Sequence, residues 1–196
     1  MDAIVENQSE GIWLIRGFMD KESTSQLFSS IKTMPTSGPD INANPFEVIN
    51  NFPSIDIFPK LLTSIRSVVV STYPQFKIQD TAKTSNSVVK IQSTGQSHHL
   101  HNDVGLEDDG VGYGQSKIDD DSQLYAVVST VFVLNDDYEG GNIFFPEHSV
   151  NVRLNAGDLI MWPSLNYMHG VDVVTGEKSR YSFVSWWYPS GTISSD

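Results

Sequence analysis

The stretch Gln92 to Asp103 reads Q-S-T-G-Q-S-H-H-L-H-N-D and carries three of the five histidines in the chain. On a β-strand, side chains two residues apart point to the same face. His101 and Asp103 therefore offer an imidazole and a carboxylate on one side. One more imidazole completes the facial triad of two His and one carboxylate, which holds non-haem Fe(II) and leaves positions open for other ligands. By itself His-x-Asp is equally a polar strand end, so its meaning depends on what the rest of the chain brings to it.

The 196 residues predict a single domain, and an apolar fraction of 39% is enough for a core. With no Cys there is no disulfide, no thiolate metal site and no cysteine nucleophile. A net charge of −12 argues against a nucleic-acid partner, which calls for clustered cations. Met1–Glu10 has no apolar signal core, and no run is long enough to span a bilayer. These features lead us to expect a soluble, cytoplasmic protein that does not engage membranes. There is no G-x-S-x-G elbow, P-loop or dinucleotide fingerprint.

Ile12–Ile15 reads as a strand. Asp20 is placed to cap a helix whose apolar face is Leu27, Phe28 and Ile31 and which Pro35 stops. Phe46, Val48 and Ile49 suggest a short strand. Apolar residues from Ile55 to Val69 recur at helical spacing, predicting a second helix from Ser54 to about Tyr73 that ends at Pro74. Beyond it come short β-runs: Val88–Gln92, His98–Asn102, Leu124–Leu134, Asn142–Phe145, Val150–Leu154, Asp158–Trp162, His169–Val174 and Tyr181–Trp187. About eight strands at this spacing predict a sandwich or small barrel covered by the helices. Glu107–Ser122 has three Gly and six acidic residues and reads as a solvated loop without structure, with a lid as its functional reading. Asp119–Asp121 offer oxygens for Ca²⁺, but the spacing does not fit an EF-hand.

His169 follows the apolar run Leu159–Trp162, and a strand carrying it can meet the strand of His101 at a barrel mouth. Lys178 and Arg180 then start an aromatic-rich strand. A cation entering a small barrel is costly to bury unless a carboxylate pairs with it, which Arg does with two parallel hydrogen bonds.

The order and spacing of these residues resemble the prolyl 4-hydroxylase-like family of Fe(II)/2-oxoglutarate-dependent dioxygenases. Gln92, Gly95, His98, His101 and Asp103 follow the family's Y-x-x-G-x-x-Y-x-x-H-x-D, with Gln92 and His98 at the two aromatic positions. Phe132–Phe145 resembles its L-N-…-G-G-x-L-x-F segment, and Gly157–Pro163 its G-x-x-(V/I)-x-F-P. His169–Ser182 resembles its distal His-to-basic stretch, with Val173 where a Pro is usual. Ile12–Glu22 is also similar to the family's start.

The resemblance implies a mainly β fold with flanking helices, a double-stranded β-helix (jelly roll, cupin-like) with N-terminal helices packed on the major sheet. Residues 1–196 would form one dioxygenase domain, with helical support over about 1–75 and a β-helix core over about 76–190. It implies iron ligands at His101, Asp103 and His169, and a 2-oxoglutarate anchor at Arg180, with Lys178 as the competing anchor. The reaction implied is C–H hydroxylation with release of succinate and CO₂. Fe(II) would be the metal, 2-oxoglutarate the co-substrate and ascorbate a supporting reductant, and the expected partner is a proline-containing protein or peptide hydroxylated at C4. His98 is expected to back the ligands and His148 to lie at the surface. The alternative is a cupin-type barrel binding Zn²⁺, Mn²⁺ or Fe²⁺ through His99, His101 and His169 without an oxoacid. A third reading is a double-stranded β-helix used only for binding.

Overall fold

The computed structural model describes residues 4–38, 46–49, 57–78, 87–104, 115–117 and 123–190. Strands β1 (Ile4–Ser9) and β2 (Ile12–Arg16) come first, followed by helix α1 (Lys21–Ile31), strand β3 (Glu47–Ile49) and helix α2 (Ile57–Thr72). Next are β4 (Ser87–Gln92), β5 (His98–His101), β6 (Gln115–Lys117), β7 (Gln123–Tyr125), β8 (Val128–Val133), β9 (Glu139–Gly140) and β10 (Ile143–Phe145). The chain continues with β11 (Val150–Val152), β12 (Leu159–Pro163), β13 (His169–Val171), β14 (Val174–Thr175) and β15 (Arg180–Trp187).

A seven-stranded sheet in the order β1-β2-β12-β8-β15-β4-β3 lies across from a four-stranded one in the order β11-β10-β13-β5. The central strands of the larger sheet are buried on both faces, so alternate residues enter two different cores. Val89, Ile91, Phe132, Leu159, Met161 and Phe183 pack beneath the helices with Leu27, Ile31, Phe58, Leu61 and Ile65. Val88, Val131, Val133, Ile160, Trp162 and Val184 point the other way, against Ile143, Phe145, Val150 and Val152 of the smaller sheet. Covering on both faces explains why these strands read as near-continuous apolar runs. The architecture is the expected double-stranded β-helix with helices on the major sheet.

Asp20 caps α1 by accepting from the Ser23 amide at 2.9 Å, which also lowers its pKa. At the start of β12, Asp158 is buried and ties three segments together. It accepts from Arg16 Nη1 at 2.7 Å, the Gly17 amide at 2.9 Å and the Asn155 amide at 2.9 Å. Gly157 beside it adopts φ +89°, and a Cβ there would lie 2.3 Å from the Met19 carbonyl oxygen. That turn therefore accepts only glycine.

Several expectations change. Ile4–Ser9, polar and acidic, forms edge strand β1, so the N-terminal segment supplies strands as well as helices. The run Leu124–Leu134 is divided between β7 and β8, and His169–Val174 between β13 and β14, because each half pairs in a different sheet. Glu107–Ser122 is not wholly without structure. Gln115–Lys117 pairs antiparallel with Gln123–Tyr125. Backbone hydrogen bonding gives even a polar triplet a reason to be a strand, and composition does not reveal that. The rest of this segment, including Asp119–Asp121, lies outside the described residues. No described helix is long and apolar enough to cross a membrane.

Candidate active site

Strand β13 pairs with β5 so that His169 faces His101 and Val171 faces His98. Two steps along β13 span three along β5, which is a β-bulge. Strict alternation would send His98 and His101 to opposite faces. With the bulge both rings turn inward, centroids 4.0 Å apart, while His99 is left exposed. Asp103 lies past the strand end, in a turn held by Asn102, whose side-chain oxygen accepts from the Val104 amide at 3.0 Å. The Asn102 amide also reaches Met168 Sδ at 3.8 Å, next to His169 in the chain.

His101, Asp103 and His169 each offer one ligand atom, all within 4.8 Å of one another. The imidazole orientations are fixed by the backbone. His101 Nδ1–H donates to the His99 carbonyl at 2.8 Å, and His169 Nδ1–H donates to the Tyr167 carbonyl at 2.9 Å. A carbonyl only accepts, so in the neutral rings the protons sit on Nδ1 and the Nε2 lone pairs face inward. Those Nε2 atoms lie 3.9 Å and 3.7 Å from the Asp103 oxygens, too far for hydrogen bonds. Asp103 Oδ2 is buried with no hydrogen-bond partner among the described residues.

Burial, with His169 nearby, pushes His101 down to about 3, and burial likewise lowers His169. Burial alone would raise Asp103, but His169, His101, Ser129 and Lys90 outweigh it and hold the carboxyl below its usual range. Two neutral imidazoles and one carboxylate thus converge with lone pairs directed at one another. A cation between them relieves that arrangement, and the donor set suits a divalent metal such as Fe(II).

The same residues line a cavity of about 380 Å³, open mouth included, that extends to Arg180. Arg180 is buried. Its Nη1 donates to Gln92 Oε1 at 2.7 Å and Ser182 Oγ at 3.0 Å. Among the described residues its Nε and Nη2, and Gln92 Nε2, have no hydrogen-bond partner. The Tyr138 hydroxyl lies close enough to favour the charged guanidinium, although it makes no hydrogen bond of ordinary length and angle. Burial lowers Arg180 from its usual value, yet it remains a cation. Gly141 leaves space for this side chain, since a Cβ there would lie 3.1 Å from Arg180 Cδ. Buried donors facing a cavity fit a carboxylate such as the distal one of 2-oxoglutarate. Lys178 is exposed and does not line the cavity.

The fold therefore brings His101, Asp103, His169 and Arg180 together. The alternative triad fails at His99, which is exposed and outside the group of converging ligands. His98 is buried against Phe46 and behind His101, and burial holds its pKa well down. His148 is half-buried rather than at the surface, its ring stacked on Tyr167 at 4.6 Å. Two contributors were not legible in the sequence. Asn102 had no signal beyond its place between two candidate ligands. Lys90 is buried in the cavity, its ammonium 5.6 Å from the centre of the Trp186 ring.

A family model described as the 2OG-Fe(II) oxygenase superfamily matches residues 87–188. No curated protein matches the chain. Solved structures share its fold. The viral collagen prolyl hydroxylase of Paramecium Bursaria Chlorella virus-1, in its 2OG complex, superposes with a TM-score of 0.65 at 16% identity, covering 91% of this chain and 96% of that one. A Pseudomonas putida prolyl-4-hydroxylase gives 0.65 at 15% identity, covering 92% and 94%. HygX from Streptomyces hygroscopicus, with nickel and 2-oxoglutarate bound, gives 0.63 at 15% identity, covering 93% and 84%. At these identities the superpositions speak for the fold alone. The family match spans more than half of the chain and includes every cavity residue named above, so the chain belongs to the 2OG-Fe(II) oxygenase superfamily.

Proposed function

We propose that the protein is an Fe(II)- and 2-oxoglutarate-dependent dioxygenase that hydroxylates a C–H bond, with a peptidyl-proline as substrate and C4 as the position attacked. The observation that carries this reading is one cavity with a carboxylate and two inward Nε2 atoms at one end and a buried, partly unpartnered guanidinium at the other. In it His101, Asp103 and His169 hold Fe(II). With O₂ and 2-oxoglutarate, the bound metal supplies the oxidising chemistry, and succinate and CO₂ leave.

The chain's own residues bind, orient and shield. Arg180 takes the distal carboxylate in a bidentate pair through nitrogens that have no partner among the described residues. Gln92, where the family has an aromatic residue, fixes the guanidinium through Oε1 and keeps Nε2 for the ligand. Val131, Ile143, Trp162, Val171 and Val184 give the cavity apolar walls, which exclude water from the reacting groups. Ascorbate supports turnover as a reductant.

The proline preference draws support from prolyl hydroxylases among the fold relatives, one of them solved with a hypoxia inducible factor peptide fragment. Anaerobic addition of Fe(II) and 2-oxoglutarate tests the reading. A visible charge-transfer band is expected with the native chain and not with His169→Ala. Succinate release is then expected to depend on a proline peptide. If no band forms and 2-oxoglutarate does not bind, the dioxygenase reading falls. If succinate forms only with non-prolyl compounds, the substrate class alone is wrong.

A further inference from the structure

We propose that the Tyr138 ring is a positioning element for the co-substrate anchor, holding the Arg180 stem so that its fork is ready for a carboxylate, and that Arg153 holds Tyr138 in turn. This rests on the reading above that Arg180 takes the distal carboxylate of 2-oxoglutarate. Gln92 and Ser182 fix one corner of the fork by accepting from Nη1 at 2.7 Å and 3.0 Å. They do not set the long, flexible stem behind it.

The packing around Gly141 shows what does. A Cβ there would lie 3.0 Å from Tyr138 Cε2, 3.1 Å from Arg180 Cδ and 3.3 Å from Val174 Cγ2. The edge of the Tyr138 ring, the Arg180 stem and Val174 therefore close on one point. Tyr138 and Val174 are both buried, so neither wall of this slot gives way cheaply. The Tyr138 hydroxyl has no hydrogen-bond partner among the described residues, and neither have Nε and Nη2 of the guanidinium it favours.

Arg153 follows β11 and clamps Tyr138 by ring and backbone together. Its guanidinium lies over the ring, 3.7 Å from the centroid. Its Nη2 donates to the Tyr138 carbonyl at 2.7 Å and the Asp136 carbonyl at 3.4 Å, and its Nη1 donates to the Gly140 carbonyl. Arg153 is half-buried and does not line the cavity. Its effect on a ligand there runs through Tyr138 or through bare charge. A side chain ordered before the ligand arrives does not have to be ordered at binding, and that is the gain this packing supplies.

The test is calorimetric titration of 2-oxoglutarate into Zn(II)-loaded native chain, Tyr138→Leu, Tyr138→Phe, Arg153→Met and Arg153→Lys. Tyr138→Leu removes the ring edge and is expected to raise Kd about 2- to 10-fold, the cost of ordering one rotamer-rich side chain at binding. Tyr138→Phe keeps the ring and is expected to retain most of the affinity. Arg153→Met is expected to raise Kd over the same range. Arg153→Lys keeps the charge without the planar fork and is expected to do no better than Arg153→Met. Binding of 2-oxobutyrate, which lacks the distal carboxylate, should be indifferent to all four changes, as should Zn(II) affinity read against a metallochromic indicator. Melting temperatures check folding. If Tyr138→Leu does not fold, Arg153→Met carries the test, because its main chain keeps the hydrogen bond that the Arg153 carbonyl accepts from Arg16 Nη1 at 2.9 Å.

Unchanged 2-oxoglutarate affinity in Tyr138→Leu overturns the inference. A loss in Tyr138→Phe as large as in Tyr138→Leu also overturns it, since the hydroxyl and not the ring would then act. A loss shared equally by 2-oxobutyrate or by Zn(II) overturns it too, because Tyr138 would then support the cavity as a whole. Full affinity in Arg153→Lys beside a loss in Arg153→Met refutes the clamp and leaves charge as the cause. Failure of the native chain to bind 2-oxoglutarate would bring down the functional reading itself.

Discussion

Acidification of the metal-free protein is a direct test of how the site is built. His98, His101 and His169 are buried, and burial is the largest cause of the lowered pKa in each, with His101 at about 3. In the unfolded chain each imidazole takes a proton below its ordinary pKa of about 6.5. Between that value and the depressed one, the unfolded state binds more protons than the folded state. Stability is therefore complete above about pH 6.5 and falls as the pH is lowered. At pH 5.5 His101, lowered to about 3, costs about 1.4 kcal/mol, and His98 and His169 add to that loss in the same direction. For a chain of this length the His101 share alone lowers Tm by about 3–6 °C. Thermal unfolding by circular dichroism, after stripping metal with a chelator, gives the curve from pH 8 to 5.5. His98→Phe, which removes one titrating ring outside the proposed ligand set, should flatten it in part. A profile flat over this range would mean the imidazoles are hydrated or already charged, and the inward, neutral Nε2 geometry would be wrong.

Other outcomes can be checked separately. His101→Ala should weaken Fe(II) or Mn(II) binding by at least the roughly 10- to 100-fold that loss of an outer-shell partner causes. Its far-ultraviolet spectrum should be unchanged. Arg180→Ala should weaken 2-oxoglutarate binding about 30-fold or more, at 2–5 kcal/mol for truncating one partner of a buried charged pair, with little effect on metal affinity. Lys178→Ala, an exposed position, should be nearly silent in the same titration. Asp158→Ala removes the acceptor shared by Arg16, Gly17 and Asn155 and should cost about 3–5 kcal/mol in denaturant unfolding. From pH 8 to 10.5 the native chain should gain stability as Lys90, lowered to about 8 mainly by burial, loses its proton in the folded state first. Lys90→Met should lack that gain.

Much of the larger sheet was legible because its strands are apolar, short and separated by turn residues. Helix α1 was legible because Asp20 and Pro35 bracket its apolar face. The polar elements were not. Ile4–Ser9 and Gln115–Lys117 are strands through backbone pairing at sheet edges or in a two-stranded ribbon, where no apolar alternation is required. The site divides along similar lines. His101, Asp103, His169 and Arg180 stand at spacings a reader can match, whereas the packing of His98 onto His101 depends on a bulge. Period-two reasoning places His99 beside His101 and His98 on the other face, and one extra residue against β13 reverses that outcome.

Lys90 is the more instructive case. A lysine inside a strand is ordinarily read as marking the solvent side. Its flanks in S-V-V-K-I-Q do not permit that. Val88 shares Lys90's face, Val89 and Ile91 take the other, and all are buried. A strand apolar on both faces has no wet side for an ammonium to reach, so this lysine is enclosed unless the whole strand is at an edge. Strand β3 on one side and β15 on the other rule that out. Burial is accordingly the largest cause of its lowered pKa, about 8.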